Sequence, residues 1–311
     1  MDRIAVIDLG TNTFNLLIVE VNSDKSYQHV FQTKISVKLG EGGINKGFIA
    51  PVPFDRGINA LKTHKLTIEK YNVGKVYAIA TSAIRGASNG AEFVAKANEE
   101  CNIEVQVISG DKEAETIYYG VRDAVKMSDE TSLIIDIGGG STEFIIANKH
   151  QIFWKQSFLL GVARLLEMFN PSDPITDKER HVLTDYLKKE LQPLFNAVKE
   201  FPVTELIGSS GSFDSIAEMV AHRFYTPHIF DGKTEFGFNL DDCAAVHETI
   251  LNSTLTERLQ MKGLAAMRVD MIVISSILVH FILKSFSIPK MRLSTYSLKE
   301  GLLFEIINLK K

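Results

Sequence analysis

The stretch Asp136-Ile137-Gly138-Gly139-Gly140-Ser141-Thr142-Glu143 predicts a tight turn between two strands, because apolar runs at 132–135 and 144–146 flank it. Three consecutive glycines allow several backbone N–H groups to point at one position, which suits an anion. Asp136 enters the turn and Glu143 leaves it, and carboxylates together with phosphate oxygens are typical ligands of Mg²⁺. Taken alone, the glycine triplet is equally compatible with an ordinary hairpin turn.

The same pattern occurs at the amino terminus. Segment 7–18 aligns over 135–146 without a gap, so that Asp8 lies over Asp136 and Gly10 over Gly138. A strand–turn–strand unit that opens each half predicts two turns facing one chain of phosphates across a cleft. The residues expected to bind phosphate are Gly10, Thr11, Asn12, Thr13, Gly138, Gly139, Gly140, Ser141 and Thr142. Asp8, Asp136 and Glu143 are expected to hold Mg²⁺, some of them through water; the alternative for each is a turn cap or a solvated edge carboxylate.

Composition indicates a globular protein of about two domains, given 311 residues, 45% hydrophobic residues and 23% charged residues. A net charge of −4 argues against broad capture of nucleic acid. Cys101 and Cys243 lack metal-ligand spacing and are expected to be reduced thiols. The first strand is expected from Ile4, which leaves no room for a signal peptide, and the apolar run 271–283 is too short to cross a bilayer. We therefore expect a cytoplasmic protein without membrane contact.

Strands alternate with helices along the chain, which favours two α/β domains. Helices are predicted over 54–71 and 91–100, and from Asp111 to about residue 125. Asn89 and Asp111 are the expected caps of the second and third of these helices. Capping boxes are predicted at Thr176 with Glu179, Thr254 with Glu257 and Ser297 with Glu300, the first opening a helix that reaches toward residue 200.

Three further residues are candidates for chemistry. Glu113 follows a strand and a Ser-Gly turn, where it could orient a water for in-line attack on phosphorus; alternatively it complements a helix dipole. Arg85 ends a strand in a polar loop and could grip phosphate, or form a surface ion pair. Ser209, in the segment 208–212, belongs to a third phosphate cradle or to a plain strand-to-helix turn. No His/Cys cluster has the spacing of a zinc site, and His280 is predicted to be a core histidine.

With these motifs in order, the chain resembles the exopolyphosphatase / guanosine pentaphosphate phosphohydrolase family of the actin-like ATPase superfamily. The resemblance spans nearly the whole chain. The matching segments are 7–15, 80–85, 107–110 with Glu113-Ala114, 136–143, Gly263-Leu264 with Arg268, Asp270 and Ile272, and 292–294 leading into 298–301.

The resemblance implies two ribonuclease-H-like domains with the active site in the cleft between them. It implies release of a terminal phosphate with Mg²⁺, with Mn²⁺ as an alternative and a monovalent cation such as K⁺ as a further candidate. The family's catalytic Glu falls on Glu113, its carboxylates on Asp136 and Glu143, its essential loop glycine on Gly138 and its phosphate-facing Arg on Arg85. We expect an N-terminal domain over 1–124 and a C-terminal domain over 125–311, with a final helix at 297–311 that can pack back on the first domain.

The sequence departs from the family pattern at three places. Lys112 replaces a frequent second Glu, and could favour phosphate or merely be solvated. Tyr296 replaces a glycine and is expected to crowd the position where related kinases hold adenosine. The chain ends at Lys311, before the extra helical domain of longer members, so the resemblance does not predict the grip on long polyphosphate or processivity.

The function predicted from this sequence is hydrolysis of the terminal phosphoanhydride of polyphosphate. The alternatives are guanosine pentaphosphate 5′-phosphohydrolase activity and a catalytically silent regulator that binds an alarmone or nucleotide. An actin-like filament protein is a less favoured reading. The expected partner is polyphosphate or guanosine pentaphosphate, and a homodimer is compatible with the sequence.

Overall fold

The computed structural model describes residues 2–308 and contains two mixed sheets. The first has the strand order β3-β2-β1-β4-β5. Its strands are β1 (Asp2–Leu9), β2 (Thr13–Val21), β3 (Tyr27–Ser36), β4 (Lys75–Ala80) and β5 (Val105–Val107). The first three strands pair antiparallel, whereas β4 and β5 are added parallel to β1. The hairpin β1–β2 therefore occupies one half of the sheet, and crossover helices link the parallel half.

The second sheet has the order β10-β11-β9-β6-β7-β8. Its strands are β6 (Ser132–Ile137), β7 (Thr142–Ala147), β8 (Ile152–Phe158), β9 (Glu205–Ser209), β10 (Glu235–Phe238) and β11 (Met291–Ser294). Without the added edge strand β10, its order and directions repeat those of the first sheet. The duplicated hairpin in the sequence thus marks a duplicated sheet, and the predicted α/β class is confirmed.

Twelve α-helices surround these sheets in the described part of the chain. They are α1 (Pro51–Lys70), α2 (Ser82–Arg85), α3 (Gly90–Cys101), α4 (Gly110–Ala124), α5 (Val162–Phe169), α6 (Asp177–Glu190), α7 (Gln192–Glu200), α8 (Ser210–Phe224), α9 (Leu240–Leu251), α10 (Leu255–Arg258), α11 (Ile272–Ser285) and α12 (Leu298–Asn308). Within residues 2–308, none is both long and apolar enough to cross a membrane. The predicted final helix, 297–311, corresponds to α12, and its residues 309–311 lie outside the described residues.

Local signals predicted the capping boxes better than the single caps. The boxes at Thr176 and Thr254 form as predicted, and at the third the Glu300 carboxylate accepts from the Ser297 N–H. The cap of α4 is Ser109 rather than Asp111, because the Ser109 hydroxyl accepts from the Lys112 N–H.

Two other local predictions were wrong. Asn89 precedes α3 without capping it, since its amide side chain instead pairs with both the N–H and the C=O of Ile49. The helix expected from Thr176 to about residue 200 is divided at Leu191, because a new helix begins at Gln192 with Pro193 in its first turn.

Helices α4 and α12 lie between the two halves of the molecule. Their apolar side chains form one buried cluster with residues from both sheets, including Val6 and Ile79 of the first and Ile134 and Ile145 of the second. Two other clusters fill the outer layers, one on each sheet. We propose a domain boundary after Ala124, where α4 ends and the chain crosses to the second sheet, with α12 packed back on α4.

The two central helices cross at backbone contact. A Cβ on Gly301 would lie 1.8 Å from the Thr116 carbonyl oxygen, and one on Gly120 would lie 2.2 Å from the Ser297 carbonyl oxygen. No L side chain fits either position unless the helices move apart. Glycine at both positions therefore sets the distance between α4, which carries Glu113, and α12.

We expect Gly301→Ala to lower the free energy of unfolding by about 1–3 kcal/mol, because the added methyl group overpacks a backbone contact. Chemical denaturation followed by circular dichroism measures this loss. Gly237→Ala is the matched control, since no atom lies within 4 Å of a Cβ built there. Equal stability of the two variants would contradict the close crossing.

Candidate active site

The two glycine turns have the same hydrogen-bonding geometry. The Gly10 N–H donates to the Thr13 carbonyl at 3.1 Å, and the Gly138 N–H donates to the Ser141 carbonyl at 3.0 Å. A Cβ on Gly10 or Gly138 would lie 3.0 or 2.9 Å from that same carbonyl oxygen. Glycine is thus favoured at the first turn position in both halves for the same steric reason.

The turns touch each other across the interface of the two halves. A Cβ on Gly139 would lie 2.5 Å from the Asn12 side-chain nitrogen, and one on Gly140 would lie 2.6 Å from the Thr11 hydroxyl. Arg164 reinforces this contact from α5, because it donates to the carbonyls of both Gly140 and Ile44. The two halves are therefore in close contact at the turns.

A polar cavity of about 180 Å³ opens beside the paired turns. Most of the residues predicted for the site line it: Asp8, Gly10, Thr11, Asn12, Thr13, Glu113, Asp136, Gly138, Gly139, Gly140 and Ser141. Two buried oxygens there, Asp8 Oδ1 and Ser82 Oγ, have no hydrogen-bond partner in the described structure. Buried oxygens without partners are costly, so both indicate a position for a bound ligand or ion.

Four predicted residues do not line this cavity. Arg85 donates from Nη1 to Glu113 and to the Ile108 carbonyl. The Ser209 hydroxyl donates to Asp136 at 2.7 Å, and the buried Thr142 hydroxyl donates to the Leu160 carbonyl. Glu143 is 1% exposed and accepts from the Ser157 hydroxyl. Arg85 and Ser209 therefore contact residues of the cavity wall, and Thr142 uses its hydroxyl within the sheet.

Glu113 reaches the cavity from the first turn of α4. It is 6% exposed and forms a 2.8 Å ion pair with Arg85. Burial raises its pKa to about 7, and Asp8 and Asp136 add to the increase, whereas Arg85 acts in the opposite direction. A carboxyl group with a pKa near neutrality is suited to general-base chemistry at physiological pH.

The cross-strand partners of the two aspartates differ between the halves. Asp8 pairs with Asn15 in the sheet register, and the Asn15 amide donates to Asp8 Oδ2 at 2.9 Å. Asp136 pairs with Glu143, so two acidic groups lie opposite each other in the second half. Burial raises the pKa of Asp8 to about 6 and also raises the pKa values of Asp136 and Glu143, with the nearby Glu113 adding to the effect on Glu143.

The second half therefore needs a proton or a cation to neutralise its carboxylates. Oxygen donors of this kind fit Mg²⁺ or Mn²⁺. Among the described residues, these carboxylates do not form a set of three whose oxygens all come within 4.8 Å of one another. An ion here would thus take some of its ligands from water or phosphate.

Charged residues that were not predicted as site residues from the sequence also line the cavity. Lys34, Arg268 and Lys299 bring three positive charges to the lining, and Asp214 lies among them. Burial raises the pKa of Asp214 to about 6, while Lys299, Lys34 and Arg268 act to lower it. Arg268 and Lys299 fall within the segments that carry the family resemblance, but Lys34 and Asp214 had no local signal because only the fold brings them to the cavity.

Lys112 and Tyr296, which depart from the family pattern, both lie outside the cavity lining. Lys112 pairs with Glu305 of α12 at 2.9 Å and with Glu115, so its charge serves the helix crossing and does not line the cavity. The Tyr296 ring stacks on His29, which in turn stacks on Tyr27. Tyr296 thus belongs to a column of three rings beside the lining residues Thr295 and Ser297.

The fold and the cavity define a two-domain protein of the actin-like ATPase type. The sequence profile of the Ppx/GppA phosphatase family matches residues 17–310. The chain therefore belongs to the Ppx/GppA phosphatase family and is a hydrolase that acts on phosphoanhydrides. Enzymes of this family generally depend on a divalent metal.

Named relatives agree with this assignment. The chain is similar to a crystal structure of an exopolyphosphatase from Cytophaga hutchinsonii, with 40% identity, a TM-score of 0.96 and coverage of 100% of this chain and 99% of that one. It is 27% identical to a putative exopolyphosphatase of Haemophilus influenzae over 98% of this chain and 91% of the relative. An Aquifex aeolicus family member, at 24% identity and a TM-score of 0.81 over 100% of this chain and 99% of that one, shares the fold.

We expect the metal-free protein to lose stability as the pH rises through the window set by Asp8 and Glu113. Their pKa values rise on folding from 3.8 to about 6 and from 4.5 to about 7, so within that window the folded state holds protons that the unfolded chain has released. The free energy of unfolding therefore falls with increasing pH. Melting temperatures measured from pH 4 to pH 8 (roughly this window) in the presence of a chelator test the slope.

Two comparisons test whether the carboxyl groups of the cavity cause this pH dependence of stability. Glu113→Gln should flatten part of the slope, whereas Glu115→Gln should not, because Glu115 pairs with Lys155 outside the cavity. Added Mg²⁺ should raise the melting temperature most at the alkaline end, where the carboxylates are ionised. A slope unchanged by both Glu113→Gln and Mg²⁺ would show that other groups control the pH dependence.

Proposed function

We propose that the protein is an exopolyphosphatase that hydrolyses the terminal phosphoanhydride of inorganic polyphosphate and releases orthophosphate. The observation that carries this proposal is the position of Glu113, a buried carboxyl group that lines the same small cavity as both glycine turns. The cavity also contains three cationic side chains, from Lys34, Arg268 and Lys299. A chain of phosphates would place its negatively charged oxygens against the backbone N–H groups of the turns and against these cations.

In the proposed reaction Glu113 accepts a proton from water as the water oxygen attacks the terminal phosphorus. A bond forms from the water oxygen to phosphorus, and the bond from phosphorus to the bridging oxygen breaks. The products are orthophosphate and a polyphosphate shorter by one unit. Positioning of the water supplies much of the rate in such a reaction.

Other residues are proposed to hold the reactants in place. Arg85 fixes the Glu113 carboxylate through its 2.8 Å ion pair and acts as a positioning residue. The turns that begin at Gly10 and Gly138 bind phosphate oxygens from the two sides, with Lys299 and Arg268 as cationic contacts. Asp8, Asp136 and Glu143 would hold the divalent cation, and when bound it would neutralise phosphate charge. We further propose a cytoplasmic location, consistent with Cys101 and Cys243 being buried free thiols.

Glu113→Gln should reduce phosphate release from polyphosphate at least about 100-fold, because the amide cannot accept the proton from water. Binding of polyphosphate should be retained, since the amide has the same shape and removes a negative charge. Initial rates and equilibrium binding are both required. Glu115→Gln is the control and should keep most of the activity. Normal turnover in the Glu113 variant would remove this residue from its proposed role.

Guanosine pentaphosphate 5′-phosphohydrolase activity is the second candidate, and one observation favours it. The stacked rings of Tyr27, His29 and Tyr296 lie next to lining residues of the cavity and offer a flat surface for a purine base. A silent regulator is less favoured, because Glu113 is present and placed at the cavity.

We expect phosphate release to be faster from polyphosphate than from guanosine pentaphosphate at equal concentrations of terminal phosphate. The small cavity accommodates phosphates and the described lining contains no closed base pocket. His29→Ala provides the discriminating variant, because it should leave polyphosphate turnover unchanged. Faster release from the guanosine substrate, with a KM that rises in His29→Ala, would favour the second candidate instead.

A further inference from the structure

A mixed cluster of metal-ligating side chains lies on the second domain, and the proposed phosphatase chemistry does not use it. Glu218 of α8 and the loop residues His228 and Asp231 each direct one ligand atom into a common space, where these atoms lie within 4.8 Å of one another. No other group of three His, Cys, Asp or Glu side chains in residues 2–308 meets this distance. Glu218 is half-buried, whereas His228 and Asp231 are exposed, and the cluster includes an imidazole as well as two carboxylates.

The half-buried Glu218 carboxylate provides a second observation at this cluster. Its Oε2 atom is buried and has no hydrogen-bond partner among the described residues. A buried carboxylate oxygen without a partner carries a desolvation penalty that a cation would offset. The imidazole of His228 and the carboxylate of Asp231 lie on the other side of the same space, with Nδ1 and Oδ2 3.6 Å apart.

The backbone holds the cluster in place from two directions. Glu218 lies in the middle of α8, against Gly263, whose Cβ position would be 2.6 Å from the Glu218 carbonyl. The loop 225–232 is anchored on the core by Phe230, which is 8% exposed and packs against Phe236 with the two rings tilted by 44°. His228 has a φ of 63°, a left-handed conformation that presents its side chain next to Asp231.

A fourth ligand is within reach of the same space. His222 lies one helical turn after Glu218 on α8, and its ring centroid is 6.1 Å from that of His228. A side-chain rotation would add its imidazole to the set. Two imidazoles and two carboxylates form a donor set typical of Zn²⁺ and of neighbouring first-row ions.

We propose that Glu218, His228 and Asp231, with His222 as the fourth ligand, form a Zn²⁺ site that fastens the loop 225–232 to α8. Spacing of His and Cys alone does not reveal it, because half of the ligands are carboxylates and the loop supplies two of the four. The site is structural rather than catalytic: its residues do not line the cavity. Its ligand Glu218 is nevertheless one turn from Asp214, so the ion would stiffen the helix that forms one wall of the active site.

The test is Zn²⁺ binding by the full chain in saturating Mg²⁺, which occupies the carboxylates of the cavity. Isothermal titration calorimetry and competition with a chromogenic chelator should give one tight Zn²⁺ site. Glu218→Gln and His228→Asn should each weaken binding about 10- to 100-fold, because each removes one ligand. Asparagine is chosen at position 228 because it tolerates the left-handed backbone. His150→Asn, which removes an exposed imidazole elsewhere, is the control and should bind as the parent does.

A second measurement distinguishes a bound ion from a folding defect. Zn²⁺ should raise the melting temperature of the parent and slow hydrogen exchange in 225–232, and neither effect should occur in His228→Asn, although that variant is folded and hydrolyses phosphoanhydrides. Co²⁺ in place of Zn²⁺ should give visible d–d bands that are lost in the same variant. The proposal is overturned if the parent binds no Zn²⁺ in competition with the chelator, or if Glu218→Gln and His228→Asn bind it as tightly as the parent.

Discussion

The burial of several carboxyl groups at one site is the constraint on which this structure depends. Asp8, Glu113, Asp136 and Glu143 come from three strands and one helix, and burial raises the pKa of every one of them. Among them, only Glu113 is paired with a cation in the described structure, through Arg85. A protein that concentrates acid groups in this way loses stability unless protons or metal ions occupy the site.

The two copies of the hairpin place different residues opposite their buried aspartates. In the first half, Asn15 lies opposite Asp8 and satisfies one of its oxygens with an amide. In the second half, Glu143 takes the equivalent position and adds a second acid opposite Asp136. Two copies with one backbone geometry therefore differ in charge at a single equivalent position. We interpret both turns as phosphate contacts and the second half as the one with the greater need for a cation, because its two acids lie opposite each other.

The close crossing of α4 and α12 connects this chemistry to the rest of the fold. Glycine at 120 and 301 lets the two helices meet at their backbones, and Lys112 and Thr116 bind Glu305 across the same contact. Because α4 also packs on both sheets, Glu113 is held relative to each glycine turn. Arg164 adds a direct link between the turn at Gly140 and the loop at Ile44. Small changes at this crossing should therefore affect the site as well as stability.

The sequence by itself determined the features that depend on local chemistry. The repeat of Asp8 and Asp136 with their glycine turns predicted two related sheets, and the capping boxes at Thr176 and Thr254 predicted helix starts, since these signals involve neighbouring residues only. The family resemblance directed attention to Glu113 and Arg85. Local signals failed at Asn89, whose side chain forms hydrogen bonds with the distant backbone of Ile49. They also failed at Asp111, because Ser109 caps the helix instead.

Only the tertiary structure decided which side chains share a space. Lys34 and Asp214 are far apart in the chain and have no motif, yet the packing of the two halves brings both to one cavity. The same holds for Glu218 and His228, which a helix and a loop bring together. Residue types and short spacings are encoded locally, whereas distances between segments depend on the crossing of α4 and α12 and on the contact between the two turns. For this reason most residues of the two turns that line the cavity were predicted from the sequence, whereas Lys34 and Asp214 were not.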